Sequence, residues 1–278
     1  MGTVLVLGLS GQVGDAIRER LAARGAHVVA ISRSHRVDAP GLHWRHASLE
    51  AMPELTEPFD AILSLGPLDA FAHWYAQARP AAPRVIALSS TGRHDKRLSP
   101  DPAERELAVR LAAAEAQLFT AARTVGAELT VLRPSLLYGR GRDRTLAPLV
   151  ARAHRWGWLP LPADARGLRQ PVHVDDVADA VMACLDQPFA TAGRAFDLPG
   201  GETLPFEDML RRTLAVHAPK ARLLRLPAWT FALAAWLAET FGRPVPGPGV
   251  RARLALDQVA DPGPARAAFG YDPGRFRP

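Results

Sequence analysis

The stretch that most limits what this chain can fold into lies at its beginning, where a short apolar run meets three evenly spaced glycines. Residues 3–7 read TVLVL, and residues 15–21 continue as an amphipathic segment. The glycines between them are Gly8, Gly11 and Gly14. This order predicts a buried strand, a tight turn and a helix that begins at the turn. One glycine permits the turn, a second lets backbone N–H groups approach a pyrophosphate, and a third lets the helix pack on the strand.

The glycine stretch therefore predicts a dinucleotide site at the start of the chain. The alternative is a parallel α/β fold whose glycines serve packing alone. In the first interpretation the helix N-terminus adds partial positive charge where the phosphates lie. The residues that we expect to hold the pyrophosphate are Gly8, Ser10, Gly11, Gln12, Val13 and Gly14.

The end of the second predicted strand, residues 27–32, bears on the choice of cofactor. The strand ends in Ser32 and Arg33, and no acidic residue follows until Asp38. An acidic residue near this point holds the ribose hydroxyls of NAD, whereas an arginine suits a 2′-phosphate. The sequence therefore predicts NADP in preference to NAD, with Ser32 and Arg33 in contact with it. The alternative is that Arg33 is a solvated loop charge.

Further short apolar runs alternate with helical segments through the first half of the chain. They predict strands at residues 42–46, 60–67, 84–91 and 128–134 and a long helix at residues 102–125, which together favour a doubly wound parallel sheet. A bound ligand lies outside the carboxyl ends of such strands. The residues at these ends are therefore candidate site residues: Leu65, Gly66, Ser89, Ser90, Thr91 and Pro134. We expect Ser89 and Ser90 near the nicotinamide ribose, and Thr91 to be catalytic.

The later part of the chain predicts shorter, proline-bounded elements that form a smaller lobe. We expect residues 1–134, completed by about 170–198, to form a dinucleotide-binding core. Residues 135–169 and 199–278 then form the substrate lobe. Within this part, Asp175 or Asp176 is expected to cap a helix that runs from Val177 to Leu185.

The composition narrows the class of protein and of partner. The formal net charge is +6, but the basic residues are scattered and not interleaved with aromatics, which argues against nucleic-acid binding and favours anionic small ligands. The single cysteine, Cys184, fits a reducing compartment. The longest apolar stretch, residues 228–238, is too short to span a bilayer, and the N-terminus does not resemble a signal peptide. We therefore expect a cytoplasmic protein that does not bind membranes and needs no metal.

Four motifs in order carry a resemblance that extends over nearly the whole chain. Besides the glycine stretch, they are LRPSLLYGRG at residues 132–141, VHVDDVADA at 172–180, and the segment from 257 to 273. The chain resembles the extended short-chain dehydrogenase/reductases, the group that contains the NAD(P)-dependent nucleotide-sugar epimerases and dehydratases. The resemblance implies a Rossmann-type α/β fold with a small C-terminal α/β substrate lobe, an anionic substrate such as a nucleotide-sugar, and a helix-mediated homodimer.

The chain departs from this family at the residues that carry the chemistry. The family uses a tyrosine acid/base and a lysine four residues later on the long helix, followed four residues on by a glutamate. If Glu115 is that glutamate, Leu107 and Leu111 occupy the tyrosine and lysine positions, and neither leucine transfers a proton. The candidate replacement acids are Tyr138, and also His94 or Lys96 beyond Thr91.

Three interpretations of this departure remain open. The protein is an atypical NAD(P)-dependent oxidoreductase or epimerase with a displaced acid, a catalytically silent cofactor-binding sensor, regulator or assembly factor, or a fold that hosts non-redox chemistry. For the substrate, the resemblance implies that Arg169 faces a nucleotide-sugar phosphate, and Arg142 and Arg144 on the preceding loop are candidates to join it. The alternative for each arginine is a solvated surface charge.

Overall fold

The computed structural model describes residues 2–55, 57–143, 145–227, 229–231 and 248–278. Its main sheet has seven parallel strands in the order β11-β6-β5-β4-β1-β2-β3. These strands are β1 (Thr3–Leu7), β2 (His27–Ser32), β3 (Leu42–His46), β4 (Ala61–Ser64), β5 (Arg84–Leu88), β6 (Glu128–Pro134) and β11 (Arg194–Leu198). The predicted Rossmann-type parallel sheet is confirmed.

Helices cover both faces of this sheet because side chains alternate between faces along each strand. On β1, Val4 and Val6 pack with α1 (Gln12–Ala23) and α6 (Val174–Asp186). Leu5 and Leu7 point the other way, toward α2 (Leu68–Ala78) and α4 (Pro102–Val125). The strand order reverses beside β1, so the crevice for a ligand opens at the carboxyl ends of β1 and β4.

The long helix α4 has the bounds that the sequence predicts. Its N-cap Asp101 accepts a hydrogen bond from the backbone N–H of Ala103, and proline stands at its first position. It ends at Gly126, which adopts φ +72°, the left-handed conformation that favours glycine.

The remaining described elements are short. The helices are α3 (Gly92–Asp95), α5 (Leu146–Trp156), α7 (Pro188–Thr191), α8 (Phe206–His217), α9 (Pro248–Ala255) and α10 (Gly263–Phe269). The short strands are β7 (Leu137–Tyr138), β8 (Trp158–Pro162), β9 (Leu168–Arg169), β10 (Val172–His173), β12 (Leu204–Pro205) and β13 (Arg222–Leu226), and they pair as β7 with β10, β8 with β13 and β9 with β12. A separate apolar cluster that includes Leu159, Leu161, Phe206 and Met209 joins α5, α8 and β8, whereas Phe269 of α10 packs in the cluster of the main sheet. The division into core and lobe stays an interpretation.

Two local predictions need correction. Helix α6 begins at Val174, and its cap is neither Asp175 nor Asp176: His173 Nδ1 accepts from the N–H of Asp175 at 3.2 Å. Both aspartates stand inside the first turn, where Asp175 pairs with arginines and Asp176 accepts from the N–H of Gly274.

The apolar stretch at 228–238 lies almost wholly outside the described residues. None of the described helices combines the length and apolarity needed to cross a membrane.

Candidate dinucleotide and substrate site

The glycine loop has the backbone geometry that a dinucleotide needs. Gly8 adopts φ +84°, and a Cβ there would lie 2.9 Å from the backbone nitrogen of Gly66. The N–H of Gly11 donates to the Gly8 carbonyl at 2.9 Å and closes the turn. A Cβ on Gly14 would lie 2.2 Å from the carbonyl oxygen of Leu9, so only glycine lets α1 pack this closely on the turn. Gly8 and Gly14 are each required by a close approach of the backbone, and a Cβ on Gly11 would lie 3.1 Å from the Gly8 carbonyl oxygen.

The N-terminus of α1 is left open toward the crevice. Gly11 is the N-cap, its backbone is extended, and no side chain caps the helix. The N–H groups of the first turn of a helix have no partner within the helix. With the partial positive charge of the helix end, they form a site suited to a pyrophosphate. Among the predicted residues, Val13 is buried and Ser10 and Gln12 are half-buried at this end.

A loop from the second half of the chain folds over the glycine loop. The Gln12 side chain donates to the carbonyl of Gly139 at 2.9 Å. Arg142, expected at the substrate, donates to Asp15 at 2.6 Å and to the carbonyl of Ser10 at 2.8 Å. Asp15 in the first turn of α1 supplies the negative charge that holds Arg142. A substrate role for Arg142 stays a prediction, and its observed position is above the glycine loop.

The end of β2 carries a serine and two arginines. The Ser32 hydroxyl accepts hydrogen bonds from the Ser34 N–H at 3.2 Å and from Arg36 Nε at 3.3 Å. The Arg36 guanidinium lies 5.1 Å from the centre of the Trp44 ring. Arg33 is exposed, and its carbonyl accepts a hydrogen bond from the His46 ring. Asp38, the first acidic residue after the strand, is bound to His43 and to the N–H of Trp44, which lowers its pKa.

The carboxyl end of β4 leaves space next to the glycine loop. Leu65 continues the pairing with β1, because its N–H donates to the carbonyl of Leu7 at 2.8 Å. A Cβ on Gly66 would have no neighbour within 4 Å. The predicted passage for a ligand at Leu65 and Gly66 therefore coincides with open space.

The carboxyl ends of β5 and β6 hold a buried group of charges. Glu115 of α4 is 2% exposed and accepts from the Ser89 hydroxyl at 2.6 Å. The same carboxylate pairs with Arg93 at 2.9 Å and with Arg133 at 2.6 Å. Arg133 also lies 3.4 Å from Asp197 of β11. The predicted contact between Ser89 and a nicotinamide ribose stays a prediction, but the structure directs this hydroxyl toward Glu115.

Thr91 stands where β5 passes into the short helix α3. Its N–H donates to the carbonyl of Pro134 at 3.2 Å, which ties together two of the predicted cofactor-side positions. The backbone N–H of Asp95 donates to the Thr91 carbonyl at 3.1 Å. Burial raises the pKa of Asp95, against the lowering effect of the Thr91 hydroxyl and the charges of His94 and Arg169. The Ser90 hydroxyl turns back to accept the N–H of Gly92 at 3.0 Å.

The helix positions at which the resemblance would place a tyrosine and a lysine are apolar. Leu107 and Leu111 are half-buried, and Leu111 packs against the apolar cluster beneath α2 and α4. Glu115 lies one turn beyond Leu111, and Glu104 at the start of the helix is paired with Ser99 and Arg253. The dyad positions therefore hold no group that transfers a proton.

Tyr138, the first candidate for a displaced acid, packs in the smaller lobe. It is 4% exposed, and its ring lies edge-on to His173 and Phe276, with centroids 5.0 and 4.8 Å away. Its hydroxyl accepts the backbone N–H of Arg277 at 3.2 Å. Burial raises the pKa of Tyr138. Catalysis by Tyr138 stays a prediction, and its contacts favour a packing role.

Arg169 of β9 is a buried cation. It is 3% exposed and donates to the carbonyls of Leu168, Leu256 and Arg253. Burial, reinforced by the charge of Arg253, lowers the pKa of Arg169 to about 10. A phosphate role for Arg169 stays a prediction, and Arg144, the third predicted arginine, lies outside the described residues.

Sequence reasoning missed the buried contacts of Glu115 with Ser89, Arg93 and Arg133, whose partners lie far from Glu115 in the chain and leave no local signal in the sequence. Among the described residues, no group of three or more His, Cys, Asp and Glu side chains is arranged to hold a metal.

The seven-strand parallel sheet and the glycine loop form a Rossmann-type α/β fold. Residues 68–198 match the model of the NAD dependent epimerase/dehydratase family, a match that covers slightly less than half of the chain.

Two curated proteins are similar to parts of the chain. A UDP-glucose 4-epimerase from Vibrio cholerae is 25% identical over 160 residues, which cover 58% of this chain and 46% of that protein. A 2-alkyl-3-oxoalkanoate reductase from Stenotrophomonas maltophilia (strain K279a) is 30% identical over 171 residues, covering 56% of this chain and 50% of that protein. The matched part thus spans half or less of each relative's length.

A solved structure shows the same fold over nearly the whole chain. The UDP-glucuronic acid 4-epimerase from Bacillus cereus, in complex with UDP-glucuronic acid and NAD, superposes with a TM-score of 0.72. The superposition covers 98% of this chain and 94% of that one at 15% sequence identity.

Proposed function

We propose that this protein binds a nicotinamide dinucleotide, prefers NADP to NAD, and acts as an oxidoreductase or epimerase on a nucleotide-sugar or similar anionic small molecule. The observation that carries the proposal is the uncapped N-terminus of α1 behind three glycines, two of which are required by a close approach of the backbone. The family match and the similarity to an epimerase and a reductase support it.

The residues that would hold the cofactor come from three strand ends and the turn after β1. Backbone groups at Gly8–Gly14 face the pyrophosphate. Ser32 and Arg33 face the adenosine ribose. Leu65 and Gly66 lie on the adenine side. Ser89, Ser90 and Pro134 lie at the nicotinamide side. When bound, the nicotinamide supplies reversible hydride transfer. The chain's own part is to position the reactants, exclude water and move a proton.

The preference for NADP rests on charge at the end of β2. Arg33 is exposed there, and the first carboxylate beyond it, Asp38, is occupied by His43 and Trp44. A 2′-phosphate gains a cation at this position, whereas ribose hydroxyls find no carboxylate to accept their hydrogen bonds. The epimerase from Bacillus cereus binds NAD. A direct comparison of the two cofactors therefore decides this part of the proposal.

The anionic substrate is supported by a group of neighbouring cations. Arg169 is buried beside Arg253, whose positive charge lowers the pKa of Arg169 and of Lys96. A phosphate or carboxylate offsets such repulsion between like charges. Arg142 and Arg144 are the further substrate residues that we propose. A cytosolic location and a homodimer complete the proposal.

Substitutions at two glycines test the cofactor site. Gly11→Val should abolish NADPH binding, because the side chain fills the cradle; its Cβ would lie 3.1 Å from the Gly8 carbonyl oxygen. Gly66→Ala adds a Cβ into open space, so it should fold normally and weaken NADPH severalfold. Binding is measured by NADPH fluorescence, and folding by circular dichroism. Unchanged affinity in both folded variants would remove the glycine loop from the proposal.

A second function, a cofactor-binding sensor or regulator without turnover, is favoured by Leu107 and Leu111 at the dyad positions. The two functions share the cofactor site and differ only in proton transfer. NADPH binding without oxidation or reduction of any carbonyl compound or nucleotide-sugar in a broad panel would favour the sensor.

A further inference from the structure

Two tryptophans stand exposed where α5 passes into β8. Trp156 is 48% exposed and Trp158 is 39% exposed, and their ring centroids lie 6.0 Å apart. The Arg152 guanidinium lies 5.9 Å from the centre of the Trp156 ring. A single exposed apolar side chain is ordinary, whereas neighbouring ones form a patch, and patches of this kind mark interaction surfaces.

The pairing of β8 with β13 extends the patch over one face of a two-stranded sheet. Arg222 pairs in register with Trp158, and Leu224 pairs with the next residue but one of β8, Pro160. Register partners, and residues two apart along a strand, lie on the same face of a sheet. Leu159 points the other way, into the apolar cluster that joins β8 to α5 and α8. Because Leu224 is 40% exposed, the outer face is open to solvent at this position.

Three arginines on this face have no carboxylate partner. Arg152, Arg155 and Trp156 have the spacing i, i+3 and i+4, so they share one side of α5. Arg222 stands beside Trp158 in the sheet. In the part of the chain that the structure describes, none of the three arginines forms an ion pair.

The opposite face of β13 shows the contrast. Arg225 lies there and is paired with Glu207 of α8. Near the outer face no such partner is available in the sequence, because residues 145–163 and 209–238 contain neither aspartate nor glutamate. The outer face therefore carries positive charge that the chain does not neutralise.

We propose that this face binds the surface of a membrane that contains anionic lipids. We call it the tryptophan face, and it consists of Arg152, Arg155, Trp156, Trp158, Arg222 and Leu224. Tryptophan favours the boundary between headgroups and acyl chains, and arginines near an anionic leaflet are attracted to it. Binding of this kind lies in the interface and needs no spanning segment, which is all that the sequence-based expectation against membranes considered.

The arrangement of charge favours a lipid surface over other anionic partners. Arg152 lies beside Trp156 and Arg222 beside Trp158, so the cations flank the tryptophan pair instead of converging on one point. Spread charge of this kind matches the headgroups of a leaflet. Leu224 on the same face offers a nucleic acid neither a stacking surface nor a hydrogen bond, whereas it fits the apolar boundary of a leaflet.

Co-sedimentation with lipid vesicles tests the inference. The purified protein is mixed with vesicles of phosphatidylcholine, with or without phosphatidylglycerol. We expect binding to the anionic vesicles only, and a loss of affinity of at least about tenfold between low and high salt, because the attraction is electrostatic.

Charge reversals assign the binding to this face. The variant Arg152→Glu, Arg155→Glu, Arg222→Glu should bind anionic vesicles more than about a hundredfold more weakly, since each cation contributes about fivefold at such a surface. The control has the same net charge and reverses three exposed arginines elsewhere, at Arg18, Arg110 and Arg123. It should stay within about fivefold of wild type. Circular dichroism verifies that both variants fold.

Removal of the aromatic rings gives a second, independent variant. Trp156→Ser with Trp158→Ser should weaken binding about tenfold through the loss of apolar contact. The matched control is Phe189→Ser, at an aromatic residue that is 96% exposed on α7, and it should leave binding unchanged.

Three outcomes would overturn the inference. The first is a wild-type protein that does not bind anionic vesicles, and the second is an equal loss in the variants of the tryptophan face and in their controls. The third is wild-type binding to polyglutamate or single-stranded RNA without binding to vesicles, which would assign the face to an acidic protein or a nucleic acid. Each outcome leaves the proposed cofactor binding standing, because that proposal uses none of these residues.

Discussion

The two halves of the crevice at the carboxyl edge of the sheet are built in different ways. We call the half at β1 and β4 the glycine half. It consists of backbone groups at Gly8–Gly14 and at Leu65–Gly66, and these two segments pack closely against each other. The half at β5, β6 and β11, here the charged half, consists of side chains held by Glu115, Arg133 and Asp197. The glycine half has the glycine spacing of the family that the chain resembles, and the helix beside the charged half carries Leu107 and Leu111 where that resemblance would place a tyrosine and a lysine.

The difference shows which part of such a site tolerates change. A backbone cradle depends on glycines that no other residue type replaces. Side chains in a charged pocket can be replaced if every polar group of the new set has a hydrogen-bond partner and every charge is paired. Glu115 with its three partners satisfies that condition without a tyrosine or a lysine on the helix.

The largest effect that we expect comes from removing the centre of the charged half. Glu115→Ala leaves Arg133, which is 12% exposed, without its main partner, and should lower the free energy of unfolding by about 4 kcal/mol. Glu106→Ala, at an exposed position on the same helix, is the control and should change it by less than about 0.5 kcal/mol. Urea unfolding measures both. Equal, small effects would mean that the charged half is not held by Glu115.

A smaller effect is expected on the affinities for the two cofactors when an arginine near the glycine half is removed. Arg33→Ala should weaken NADPH by more than about tenfold and spare NADH, because only NADPH carries the 2′-phosphate. Arg36→Ala is the matched control, since this guanidinium is held over the Trp44 ring and against Ser32. Titration of each variant with both cofactors checks the prediction. Parallel losses for NADPH and NADH would remove Arg33 from the 2′-phosphate.

The smallest effect is a pH dependence at Asp95. The raised pKa means that the folded protein holds this proton more tightly than the unfolded chain. Stability is therefore lost as pH rises from the ordinary aspartate value of about 4 through the raised pKa. Asp95→Asn removes that loss, so it should stabilise the protein at pH 7 relative to wild type by less than about 1 kcal/mol, because the group is only partly buried.

Thermal unfolding between about pH 4 and pH 7 tests this sign. The advantage of Asp95→Asn over wild type should shrink toward pH 4, because the carboxyl of the unfolded wild-type chain then becomes protonated as well. An advantage that grows toward low pH would contradict a raised pKa.

Much of the fold follows from local patterns in the sequence. The strands at 27–32 and 128–134 and the helix at 102–125 have their predicted bounds, because apolar periodicity, Asp101 and Gly126 act within a few residues of one another. The predicted start of α6 is wrong because His173, an unusual capping residue, takes the place that an aspartate usually fills.

The contacts of the charged half could not be predicted from the sequence, for a physical reason. Its contacts join residues far apart in the chain, such as Ser89 with Glu115 and Arg133 with Asp197, and nothing local specifies these partners. The position of Arg142 depends in the same way on Asp15, 127 residues away. The glycine half was predictable because its spacing is local.

The most direct test of the account is a calorimetric titration of purified, nucleotide-stripped protein with NADPH and then with NADH. The account predicts that NADPH binds with micromolar affinity and that NADH binds more weakly. If the protein binds neither cofactor, the central claim is contradicted, because Gly8, Gly11 and Gly14 would then serve only the packing of α1 on the sheet.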